Sequence, residues 1–102
     1  LLPAGAVSVD ETPEAGRFAL GAPSPNPLTA TARVAFSLDA AGPATVALYD
    51  VLGRQVATLA DGEFAAGRFD ADLDARGLAA GAYIVRLESA SGVRTRTVTV
   101  LR

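Results

Sequence analysis

RFDADLD, residues Arg68 to Asp74, alternates without a break: Phe69, Ala71 and Leu73 take every second position, and Asp70, Asp72 and Asp74 stand between them. A repeat of two is the signature of a strand that buries one face and wets the other; a helix would group its apolar residues three and four apart. The same repeat runs outward in both directions. Upstream, ARVAFSL places Val34, Phe36 and Leu38 on one face, and ATVALYD places Val46 and Leu48 together. Downstream, AYIVRLE sets Tyr83, Val85 and Leu87 against Arg86 and Glu88. Turn residues separate these runs, at AGP 41–43, Gly53, ADGE 60–63 and ASG 90–92. Asp61-Gly62 favours positive φ and predicts a reversal there. A short strand through Phe18 and Leu20 precedes a segment in which Pro23, Pro25 and Pro27 exclude regular ladder pairing.

About seven short strands with no helical stripe predict an all-β antiparallel sandwich. The terminal VRTRTVTVLR departs from simple phasing, because Val93 is odd whereas Val98 and Val100 are even. A bulge would restore a single inward face. Residues 1–16, LLPAGAVSVDETPEAG, carry two prolines and no sustained period, and read as a linker with one short extended piece at Ala6 to Val9. The domain is therefore expected over 17–102.

Composition excludes several kinds of function. The chain of 102 residues has a formal charge of −2, and its nine cations are all Arg, spread along the sequence. No basic stripe suggests nucleic acid or an anionic membrane, and no apolar run reaches the ~20 residues of a membrane-spanning helix. With no His and no Cys, a catalytic triad, a zinc site and a thiolate nucleophile are all out of reach. Ser and Thr without a base are inert hydroxyls. No glycine-rich loop opens a helix for phosphate, and no Glu sits in an apolar setting that would make it a general acid. DADLD resembles the start of a calcium loop, but Ala75 and Gly81 occupy the positions that need Gly and a bidentate Glu. Its plainer reading is the solvent face of a strand. Asn26 precedes Pro27 and is no glycosylation acceptor. No enzyme activity, cofactor or metal is expected. The absence of Met, even at position 1, reads as a processed or excised piece of a longer protein.

Two short motifs are more definite than a generic strand or loop requires. YDVLGRQV, Tyr49 to Val56, inserts Asp50, Gly53 and Arg54 between two strands. Gly53 can take positive φ, Asp50 can cap turn amides, and Arg54 can reach back to the carboxylate. LAAGAY, Leu78 to Tyr83, has the Leu, Gly81 and Tyr83 spacing of a tyrosine corner, in which the ring enters the core and the hydroxyl bonds backbone just upstream.

Taken in order, FALGAPSPNPLTATARVAFSL, ATVALYDVLGRQVATL, FAAGRFDADLDARGLAAGAYIVRLES and TRTVTVLR resemble the C-terminal sorting domain of cargo exported by the type IX secretion system. The resemblance covers roughly 17–102 and is also similar to the immunoglobulin-like domain of the flagellar hook cap. It implies an immunoglobulin-like β-sandwich that is recognised by outer-membrane secretion and attachment machinery. It also implies a cargo domain upstream and a secreted or cell-surface destination reached through the periplasm. The site residues it implies are Asn26, Pro27, Asp50, Gly53, Arg54, Gly81, Tyr83, Arg94, Arg96 and Arg102. Leu28 departs from the family, which usually has an aromatic after Pro-Asn-Pro; Leu can fill the same apolar pocket. Arg94 and Arg96 have two readings: charge that protects an edge strand from unwanted pairing, and part of a recognised final strand. A chain stopping just after that strand fits a natural C-terminus. The competing function is a structural subunit of a surface fibre, self-associating if the apolar start LLPAGAVSV adds as a strand to a neighbour's sheet.

Overall fold

The computed structural model of the protein describes residues 17–101. The expected linker, its extended piece and Arg102 lie outside the described residues. Seven strands follow in order: β1 (Ala19–Leu20), β2 (Thr31–Leu38), β3 (Gly42–Asp50), β4 (Gln55–Phe64), β5 (Gly67–Asp74), β6 (Gly81–Ser89) and β7 (Gly92–Val100). They form two antiparallel sheets, β1-β2-β5 and β4-β3-β6-β7. The all-β sandwich read from the alternation is the fold observed.

The alternating residues meet between the sheets. Val34, Phe36 and Leu38 of β2 and Leu73 of β5 face Val46, Leu48, Val85 and Leu87 of the other sheet, all nearly or fully buried. Phe36, Phe64 and Phe69 close the side where β4 passes into β5, with ring centroids 5.1–5.7 Å apart. These tilted and edge-on contacts suit the quadrupoles of the rings. Ser37 is buried and donates its hydroxyl to the Arg17 carbonyl, which removes the cost of an unpaired polar group.

Three local expectations are corrected. Residues 60–63 do not turn; they lie within β4, where Ala60 to Phe64 pair with Val46 to Gly42. Ending the strand at Asp61-Gly62 would withdraw Phe64 from its aromatic partners and break the ladder to β3, so packing overrides the local turn preference. The reversal comes instead at Ala65 and Ala66. The turn at 41–43 is likewise displaced to Asp39–Ala41, and Gly42-Pro43 opens β3, where a proline is tolerated at a strand start.

The bulge expected in β7 is absent. Its register with β6 runs unbroken from Gly81↔Val100 to Ser89↔Gly92, because the two-residue loop at Ala90-Ser91 fixes the pairing. Val93 therefore stays outward and 41% exposed. Arg94 and Arg96 take the inward positions opposite Leu87 and Val85. The bulges are in β4, where β3 residues 46 and 47 pair with 60 and 58, and residues 48 and 49 with 57 and 55. Leu59 and Val56 are the extra residues.

Candidate functional site

The Asp50–Arg54 turn is a closed hydrogen-bonded unit. The Gly53 amide donates to the Asp50 carbonyl (3.0 Å), and the Asp50 amide donates to the Arg54 carbonyl (2.9 Å). Asp50 Oδ1 accepts the amides of Leu52 (2.9 Å) and Arg54 (3.0 Å), while Oδ2 accepts Arg54 Nε at 2.8 Å. Gly53 has φ +84°, with no atom within 4 Å of where a Cβ would stand. Its identity is required by backbone conformation, not by crowding. The Arg54 amide, then the Arg54 guanidinium and the Leu52 amide, hold the Asp50 carboxyl below its ordinary pKa. The unit presents Val51 and Leu52 at 71% and 74% exposure on a fixed backbone.

A smaller version of the device follows β5. Asp74 Oδ1 accepts the Arg76 amide, and its two oxygens pair with Arg76 Nε and Nη2, each at 3.0 Å. That pairing lowers the Asp74 pKa to about 2. On the same outward face Asp72 lies 3.5 Å from Arg33 Nε. Two of the three aspartates in DADLD are thus engaged by arginines.

Tyr83 is 7% exposed, and its hydroxyl donates to the Ala79 carbonyl at 2.7 Å. The intervening chain bends through Gly81, at φ +146°. The corner holds the start of β6 against the core, directly beside Asp50, which is paired with Tyr83 across β3 and β6, and beside the end of β7.

The Pro-Asn-Pro segment lies along the outer edge of β7. Leu28 is fully buried and forms a parallel bridge with Val100: its amide donates to the Thr99 carbonyl and its carbonyl accepts the Leu101 amide, both at 2.9 Å. Asn26 repeats this pattern one step back with its side chain. Nδ2 donates to the Thr97 carbonyl (3.3 Å) and Oδ1 accepts the Thr99 amide (3.0 Å). Arg96 Nε donates to the Leu20 carbonyl at 2.9 Å, and the Arg94 guanidinium lies 4.7 Å from the Phe18 ring centre.

The structure therefore groups Asn26, Pro27, Arg94 and Arg96 along the β1/β7 side and Asp50, Gly53 and Arg54 in a turn at one end. Gly81 and Tyr83 lie between. Arg94 and Arg96 do lie on an edge strand, and both also reach across to the first strand, to the Phe18 ring and the Leu20 carbonyl. Phe18 and the Leu20, Thr97 and Thr99 backbone groups were missed as partners. Phe18 had a signal, as an aromatic beside the domain start; backbone acceptors have none in sequence.

Within this antiparallel sandwich the distinctive side chains bind the domain's own backbone. A family model for the secretion system C-terminal sorting domain matches residues 24–101, and the chain belongs to this family, the sorting domain of type IX secretion. No curated protein matches it. The family is non-catalytic, and membership implies contact with secretion machinery, a cargo domain, and a secreted or cell-surface destination.

Proposed function

We propose that residues 17–102 act as an export signal for a cargo domain upstream, folding in the periplasm and presenting β6 and β7 with the Asp50 turn to the outer-membrane machinery. The family match over 24–101 carries this reading. The geometry supports it because the unusual residues stabilise an exposed turn and the last strand. The fibre-subunit alternative finds less support. Of the edges a neighbour's strand could use, the end of β7 is covered by Asn26 and Leu28, β4 carries two bulges, and β5, the long edge of the other sheet, carries the exposed Asp70, Asp72 and Asp74. Cover, bulges and edge charge each discourage strand addition.

Fusing residues 17–102 behind a signal peptide and a fluorescent reporter tests the proposal in a type IX-competent host. The reporter is expected at the surface or in the medium. Deleting 93–102 removes β7 and should abolish export. Normal export of the deleted form would overturn the proposal, as would retention of the intact fusion in a host that exports its own cargo. Concentration-dependent polymers of the purified chain would favour the fibre subunit instead.

A further inference from the structure

Residues Asn26 to Leu28 occupy the outer edge of β7 as a strand would, but with almost none of a strand's own pairing. In a parallel ladder a residue bonds the carbonyl before and the amide after its partner. Leu28 does this around Val100 with its backbone. Asn26 does it around Val98 with its side-chain amide, which stands in for a peptide group. Pro25 and Pro27, on either side of Asn26, have no amide proton to donate, so the segment cannot extend the sheet further. Four hydrogen bonds and one buried leucine side chain hold it, and Asn26 itself is exposed.

From this we infer that residues 26–28 are a displaceable strap, tethered upstream at Ser24, whose amide and carbonyl pair with Arg33 of β2, and that the secretion machinery binds the domain by replacing it with an extended strand of its own. The replacement runs parallel to β7, bonds the backbone groups of Thr97, Thr99 and Leu101, and puts an apolar side chain where Leu28 sits. This rests on the sorting reading above and specifies its contact. A genuine strand offers backbone groups at both positions where the strap supplies one backbone residue and one side-chain amide, and strand addition is a general mode of recognising an exposed edge. Until displacement, the strap keeps that edge from pairing with other chains.

The test is to lock the strap. Neighbouring strands lie about 4.8 Å apart, within the Cα separation a disulfide spans, so Leu28→Cys with Val100→Cys can join them. The chain has no other thiol. In the reporter fusion, export of the oxidised double variant should fall at least tenfold and recover on addition of dithiothreitol, whereas export of each single variant should be the same with and without dithiothreitol. Asn26→Ala, at an exposed position, loosens the strap without touching the core. It should raise amide hydrogen exchange at Thr99 and Leu101 about tenfold and raise the exported fraction of the reporter. Wild-type export of the oxidised fusion would overturn the inference while leaving the sorting reading intact. Loss of export in Asn26→Ala would do so too, because the docked strap would then be what is recognised. Retention of the unsubstituted fusion would bring down the sorting reading and this inference together.

Discussion

Tyr83→Phe isolates the corner hydrogen bond, and the second tyrosine supplies an internal control. Tyr83 is nearly buried, at 7% exposure, and Phe refills the volume of its ring almost unchanged. What is lost is the 2.7 Å bond to the Ala79 carbonyl. A net hydrogen bond contributes about 0.5–1.5 kcal/mol, and stranding a buried partner raises the cost toward 1–3 kcal/mol. Ala79 is itself exposed, so water can reach its carbonyl, and the cost should be about 1 kcal/mol. For a domain of this size that is a fall in Tm of about 4–8 °C. Tyr49→Phe makes the same chemical change where the hydroxyl has only a 3.4 Å exposed contact to Gln55, and should stay within about 0.5 kcal/mol. Tyr83→Ala adds a cavity and should cost about 3–5 kcal/mol. Urea melts of the three variants and the parent, with m-values compared, decide the matter. Equal stability of the two Phe variants would refute the corner as a stabilising element.

Gly53→Val should lower stability by more than about 1 kcal/mol in the same melts, since a β-branched residue resists φ +84°; because a Cβ there meets nothing, Gly53→Asn should be milder. Arg96→Gln should destabilise by about 1–2 kcal/mol through loss of the charged donor to the Leu20 carbonyl, whereas Arg68→Gln, exposed on β5, should be close to neutral in urea. Asp50 and Asp74 have pKa values lowered by folding, so the stability they contribute is full above the unfolded value near 4 and is lost as pH falls toward 2. Asp50→Asn with Asp74→Asn should therefore flatten the decline of Tm between pH 4 and 2, and an unchanged acid limb would contradict the pairing.

The strands were legible because one-sided burial writes a period of two into the sequence, and RFDADLD, ARVAFSL and AYIVRLE carry that period unbroken. The Asp50 turn and the Tyr83 corner were legible for a related reason. Each is closed within five residues, so the spacing of Asp, Gly and Arg, or of Gly and Tyr, states nearly all of its geometry. Composition also excluded chemistry that needs His or Cys, because a residue type that is missing cannot be restored by folding.

Tertiary structure decided what depends on partners distant in the chain. Asp61-Gly62 is a good local turn, but the pull of Phe64 toward Phe36 and Phe69 holds it in a strand. Val93 has the wrong parity for the core, and the sequence alone suggested a bulge; the two-residue loop instead fixed the register and left the inward places to Arg94 and Arg96. Their partners, the Phe18 ring and the Leu20 carbonyl, lie 76 residues away in both cases. Asn26 and Leu28 likewise find β7 across more than 70 residues, through backbone groups that every residue except proline possesses in full. A sequence marks where a side chain changes; it does not mark which carbonyl will be left facing it. Alternation and turn chemistry therefore determined the sandwich, while the pairing of its first segment with its last strand was decided by folding alone.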